Sequence, residues 1–331
     1  MTIRIPRRTL ATVAVAAVVV LALAGTGAWW FVAHRSPPGF VEYPMRQRGE
    51  MPIAVAAAAD GSVWFTIDGA AALGRVRDGR LEELPKAGKS VEPLGIAAAA
   101  DGSVWFTDMA AGAVARMTPV GAVDASVPIE TPMVRLGRLA VAPDGAVWFA
   151  EGTSYSITKI KDGALTRHRF ESWFGGPYGV AVAPDGTVWA TLQAGNQLIR
   201  IAPDGSLKTF NLPRPQAVPT DIAIGPDGAV WFVEFRGNSI GRYKDGQFVD
   251  FAVAKEDAGL SGLAVAADGT VWFGMLRASS LGRLRNGELA TFKLPRADAR
   301  PYSLAIDSAG NVWYADIHGY VGMLPADHAR D

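Results

Sequence analysis

A tryptophan that returns seven times at nearly constant spacing limits what this chain can fold into. Trp64, Trp105, Trp148, Trp189, Trp231, Trp272 and Trp313 are separated by 41, 43, 41, 42, 41 and 41 residues. Six of them have Asp-Gly four residues earlier, from Asp60-Gly61 to Asp268-Gly269, and the seventh has Ala309-Gly310. Asp-Gly between apolar, β-branched runs supplies the positive-φ residues of a tight hairpin turn. In each repeat an apolar run such as 179–182 precedes that turn and a second strand such as 230–233 follows it. A third strand such as 240–243 carries a basic residue 11 places after the tryptophan, and a fourth such as 207–210 ends at a Leu-Pro or similar break. Four strands in about 40 residues is the spacing of a propeller blade. Helical solenoids share the period, but long amphipathic stretches are missing. The sequence therefore predicts an all-β, seven-bladed β-propeller of four-stranded blades over residues 40–324, with a short tail at 325–331.

The ends of the repeat array predict how the ring closes. The last repeat supplies three strands, while Phe40-Val41-Glu42-Tyr43-Pro44 ahead of the first full repeat reads as a fourth strand without its first three. The N-terminal strand is expected to complete the C-terminal blade, which removes the open edges of an unclosed ring. The recurrent tryptophan is expected to fill the space between adjacent sheets. The recurrent base (Arg75, Arg116, Lys159, Arg200, Arg242, Arg283) is expected to pair with acids or carbonyls at a blade edge.

Ahead of the repeats, residues 9–33 run for 25 positions without a charge. At about 1.5 Å per residue such a helix crosses a hydrocarbon core of about 30 Å. Arg4, Arg7 and Arg8 precede it and Trp29-Trp30 sit at its far end. The positive-inside rule then places the N-terminus in the cytoplasm and the propeller on the periplasmic or extracellular side of the cytoplasmic membrane. The expectation is a single-pass, uncleaved transmembrane anchor over 1–35 and a Pro-rich linker over 36–39; a cleaved signal peptide is the alternative. Net charge is zero, with 32 basic and 32 acidic residues, so nothing favours nucleic acid, whose binders carry a basic face. No cysteine is present, which excludes disulfides, thiolate metal sites and thiol nucleophiles. A monomer is expected.

The repeat resembles the virginiamycin B (streptogramin) lyase family. The resemblance is carried by Pro177-Tyr178-Gly179-Val180-Ala181, Pro226-Asp227-Gly228-Ala229-Val230-Trp231-Phe232-Val233-Glu234, Ile240-Gly241-Arg242 and Thr291-Phe292-Lys293-Leu294-Pro295. It implies a lyase that opens a cyclic depsipeptide by elimination, with a histidine at the x of Pro-x-Gly in late blades, nearby glutamates and a magnesium ion in the ring centre. Those parts are not matched residue by residue. The seven x positions hold Ile53, Leu94, Gly137, Tyr178, Thr220, Ser261 and Tyr302. Arg300 stands where an acid is expected, and Ile317 holds the glutamate position between Asp316 and His318. Whether the chain is an enzyme stays open at this point.

Departures from the repeat mark where function can sit. Three residues after the tryptophans, the acids Asp108, Glu151, Glu234 and Asp316 form a candidate oxygen-ligand set for Mg or Ca. Arg236, Arg277, Arg300 and Tyr178 are candidate ligand-binding residues for an anionic or carbonyl-bearing molecule. His318, with Asp316 two residues away and Tyr302, is the candidate for acid–base work, because histidine titrates near neutrality. Three readings compete: a lyase-like propeller binding a small or cyclic ligand in its funnel, a non-catalytic platform for an envelope protein or polysaccharide, and a lactonase-type hydrolase.

Overall fold

The computed structural model describes residues 39–329 except 87, 89–91 and 172–174. The apolar segment 9–33 lies outside the described residues, and among those described no helix is long and apolar enough to cross a membrane. Seven separate four-stranded antiparallel sheets follow one another in chain order. Their innermost strands are Met51–Ala57, Pro93–Ala98, Leu136–Val141, Pro177–Val182, Pro219–Ile224, Leu260–Val265 and Pro301–Ile306, in blades 1 to 7. Blade 7 adds Val312–Asp316 and Tyr320–Leu324, and its outer strand is Val41–Pro44, pairing Val41 with Met323 and Pro44 with Tyr320. The ring is thus closed by the first strand of the fold. After the last strand a short helix, Ala326–Ala329, accepts a bond from Arg283 Nη1 at the Ala329 carbonyl, 2.7 Å.

The repeated residues explain themselves in this architecture. Six of the seven Trp residues lie opposite the recurrent base on the third strand, as Trp64 with Arg75 and Trp231 with Arg242, while Trp313 faces Met323. The Trp ring packs against the following blade: Trp64 with Ile96 and Phe106, Trp148 with Val180 and Val188, Trp272 with Leu304. The base covers the ring as a cation–π lid, Arg75 at 4.8 Å and Lys159 at 5.3 Å. Its guanidinium also takes acids and carbonyls at the edge, Arg75 reaching Glu82 at 2.6 Å and the Pro119 carbonyl at 2.6 Å. The glycine of Ile-Gly-Arg is required by contact, since a Cβ on Gly241 would sit 2.2 Å from the Phe232 ring of the neighbouring strand.

Candidate functional site

Every innermost strand carries an extra residue near its start. Pro177 faces Leu192 but Val180 faces Ala190, and in blade 7 Pro301 faces Asp316 while Ser303 faces Ala315. A bulge bends the strand and re-aims a side chain. Here the bulges lie at the end of the ring where a cavity of about 840 Å³ opens, lined by residues of blades 3 to 7. Its polar lining includes Arg138, Tyr178, Thr220, Asp221, Arg236 and Tyr302. Phe235, Leu260 and Leu276 supply apolar wall.

The floor is a hydrogen-bonded arch. The Tyr178 and Tyr302 hydroxyls are 2.9 Å apart. Arg138, on blade 3, donates from Nη1 to Ser303 Oγ of blade 7 at 3.1 Å, with its guanidinium 5.7 Å from the Tyr302 ring centre. Blades 3 and 7 are not neighbours, so this bond passes over the ring axis. Arg138 is packed deep among protein atoms while part of its surface faces the cavity. Burial works against its charge, but the Asp221 carboxylate and the two tyrosine hydroxyls outweigh that and hold its pKa above the ordinary value. Burial also raises the Tyr178 hydroxyl well above its usual range, against the pull of Arg138, so Tyr178 stays protonated and serves as donor or acceptor rather than base.

The same residues take part in joining the blades. In blades 1, 2 and 4 the hydroxyl two places after the tryptophan donates to the next inner strand: Thr66 to Leu94 O, Thr107 to Gly137 O, Thr191 to Thr220 O. Blades 5, 6 and 7 have Val233, Gly274 and Ala315 there. Side chains at the bulge take over: Asp221 Oδ2 accepts from Leu263 N at 3.1 Å, Ser261 donates to Pro301 O at 2.6 Å, and Ser303 Oγ accepts from Val55 N at 3.3 Å.

The four acids proposed as metal ligands are placed differently. They end the second strands, one strand out from the inner ring, and each is occupied by a nearby base or hydroxyl. Lys86 Nζ donates to Asp108 at 2.5 Å. Glu151 accepts from Arg167 at 3.0 Å, Thr158 at 2.8 Å and Thr131. Burial alone would raise the Glu151 pKa, and these bonds lower it overall. Glu234 accepts from Ser239 at 2.5 Å with Arg214 at 3.6 Å; burial keeps its pKa raised, and its Oε1 has no partner. Asp316 is wholly buried and accepts from Arg296, from Arg300 N at 2.9 Å and from His318 N at 2.9 Å. Among the described residues no three His, Asp or Glu side chains gather as a metal shell. The donor set does not fit the divalent cation that the resemblance implies, because each acid already neutralises or caps a neighbour.

The acid–base trio is not brought together either. Tyr302 is in the funnel floor, Asp316 is turned into the Arg296 clamp, and His318 is half-exposed with Nδ1 3.7 Å from Asp298 Oδ2. Of the candidate ligand residues, Tyr178 and Arg236 line the cavity. Arg277 pairs instead with Asp257, and Arg300 Nη1 turns to Ser279 Oγ at 3.1 Å and the Ala299 carbonyl at 2.9 Å. Sequence reasoning missed Arg138 and Asp221. The signal was one place along from the x positions, where the seven repeats read Ala54, Gly95, Arg138, Gly179, Asp221, Gly262 and Ser303.

Comparison with known proteins agrees with this architecture. The virginiamycin B lyase family model matches residues 32–135 and 124–329. A virginiamycin B lyase of Nocardia farcinica is 36% identical over 170 residues, 51% of this chain and 57% of that protein, so the match spans somewhat over half the length of that relative. A Bordetella parapertussis virginiamycin B lyase is 49% identical over 43 residues, 13% of this chain and 14% of its own. Among solved structures, a streptogramin B lyase superposes with a TM-score of 0.82 at 24% identity, covering 86% of this chain and 96% of that one. A catalytically inactive virginiamycin B lyase variant from Staphylococcus aureus, with quinupristin, gives 0.81 at 26% identity over 86% of this chain and 98% of its own.

Proposed function

The chain belongs to the virginiamycin B lyase family, and from that premise we propose that it is a funnel-binding member that takes a small or cyclic carbonyl-bearing ligand without efficient lyase turnover. One observation carries the reading: the 840 Å³ cavity has a cationic, hydroxyl-rich floor of Arg138, Tyr178 and Tyr302 beneath apolar walls. Pockets of this size and make-up bury most of a small ligand, and a few convergent polar groups fix its orientation. Arg138 and the paired hydroxyls donate to a carbonyl or oxyanion from a site where burial strengthens the attraction.

Elimination also needs a base beside the proton it removes. No histidine is among the lining residues, and the high pKa of Tyr178 disqualifies it. An envelope platform is the second reading, and the polar, open funnel argues for a ligand before it. A lactonase reading has no support in the donor set. We take residues 9–33 as the anchor that holds the propeller outside the cytoplasmic membrane. The test is to incubate the full-length chain with a streptogramin B and magnesium and to follow binding by calorimetry and ring opening by mass spectrometry. Binding with turnover depressed by about 10²–10⁴-fold, the usual effect of losing a positioned base, is expected. Turnover at ordinary enzymatic rates would overturn the reading.

A further inference from the structure

Resting on the funnel as a ligand site, we propose that its floor holds a zwitterionic α-amino-acid head group, the carboxylate on Arg138 and the ammonium on Asp221 beside Thr220.

Arg138 and Asp221 occupy the position that is glycine in blades 2, 4 and 6. Both side chains line the same cavity, from blades 3 and 5 with blade 4 between them. In blade 3 the glycine is one place earlier: a Cβ at Gly137 would meet the Tyr178 carbonyl at 2.7 Å, as one at Gly179 would meet the Thr220 carbonyl at 2.5 Å, and the cavity-lining side chain is Arg138 beside it. The Asp221 carboxylate acts on the Arg138 charge without a direct ion pair among the described residues: Arg138 spends Nη1 on Ser303, and Asp221 spends Oδ2 on Leu263 N. Asp221 Oδ1 makes no hydrogen bond among the described residues, and Arg138 Nε and Thr220 Oγ1 are buried without partners. Buried polar atoms that stay unsatisfied, beside an Asp221 oxygen without a hydrogen bond in the same cavity, carry a desolvation cost. A group that accepts on one side and donates on the other compensates it.

The chemistry narrows the ligand. A simple carboxylate satisfies Arg138 but meets repulsion from Asp221, and a simple amine does the reverse; the pair selects against both. An α-amino acid carries its carboxylate and ammonium on one carbon, which matches a donor and an acceptor that face the same cavity. Above the floor, Phe235, Leu260 and Leu276 favour an apolar side chain.

The experiment is calorimetry of the full-length chain in mild detergent with L-phenylalanine, phenylpropionate, phenethylamine and phenylalaninamide. L-phenylalanine is expected to bind at least about tenfold tighter than each analogue, the effect of one charged hydrogen bond. Asp221→Asn, which keeps an acceptor for Leu263 N, is expected to abolish that preference over phenylpropionate while melting near the wild type. Arg138→Gln is expected to weaken both carboxylates. Equal affinity for the four probes, tightest binding of the amide, or equal weakening of all by Asp221→Asn would overturn the head-group site. If no probe binds at millimolar concentration but a streptogramin B does, this proposal falls and the funnel reading stands. If nothing binds, both fall.

Discussion

The closure strand gives the sharpest test of how the ring is held. Glu42 on Val41–Pro44 reaches into blade 7, where Oε1 accepts from the Tyr314 hydroxyl at 2.8 Å and Oε2 accepts from Arg296 Nε at 3.2 Å. Its side chain is 9% exposed and Arg296 is 19% exposed, while Tyr314 is fully buried. Glu42→Ala leaves the Tyr314 hydroxyl buried without an acceptor, which costs about 1–3 kcal/mol. It also removes one charged hydrogen bond to Arg296, worth about 1.5 kcal/mol. Arg296 keeps Asp316, so the loss falls at the lower end for a broken buried pair, about 3 kcal/mol in all. For a fold of this size each kcal/mol moves Tm by about 2–3 °C, so Glu42→Ala should melt about 6–9 °C below the wild type. Glu42→Gln keeps an acceptor for Tyr314 and should lose about 1 kcal/mol, or 2–3 °C. Deleting residues 1–45 removes the strand itself, including the Tyr43–Trp313 stack at 6.0 Å, and should cost more than either. The assay is a thermal melt by near-ultraviolet circular dichroism. A Glu42→Ala melt within about 1 °C of the wild type, or equal melts for deletions 1–35 and 1–45, would refute the reasoning that this strand locks the ring.

Val218, beside the cavity, sits at φ 55° where Gly259 of the next blade sits at φ 67°. A β-branched residue there is strained by about 1–2 kcal/mol, partly offset by the chain entropy that glycine adds, so Val218→Gly should raise Tm by about 1–3 °C; a fall would contradict the strain. Asp227 is held at a pKa of about 2, chiefly by its bond from Lys244 and with Arg242 adding to it, against some burial. A depressed carboxyl pKa gives stability that is present above the unfolded value near 3.9 and is lost as pH falls towards 2. Being 44% exposed it should contribute only about 0.5 kcal/mol, so Asp227→Asn should destabilise slightly at pH 7 and not at pH 2; a difference constant with pH would refute the assignment. The proposed topology, with Arg4, Arg7 and Arg8 inside, predicts that protease added to spheroplasts digests the propeller, and protection until lysis would refute it.

The amino-acid sequence by itself determined the scaffold, because blade structure is local and periodic. Asp-Gly makes its turn wherever it stands, the tryptophan packs on the next blade in each repeat, and the three-strand remainder at one end predicts the partner strand at the other. The site is the opposite case. Asp316 and His318 are two residues apart, yet one is turned inward to Arg296 and the other out to Asp298, because the loop between the strands fixes each separately. The acid positions looked like a ring around the axis, but strand order puts them one layer out, each capped by a nearby base or hydroxyl. Arg138 shows the limit best. Its number gives no hint that it spans from blade 3 to blade 7, or that the Tyr178 carbonyl, 2.7 Å from where a Cβ on Gly137 would stand, leaves room only for glycine beside it. Which side chain faces a cavity depends on close packing between strands far apart in the chain, and only the folded ring brings those strands together.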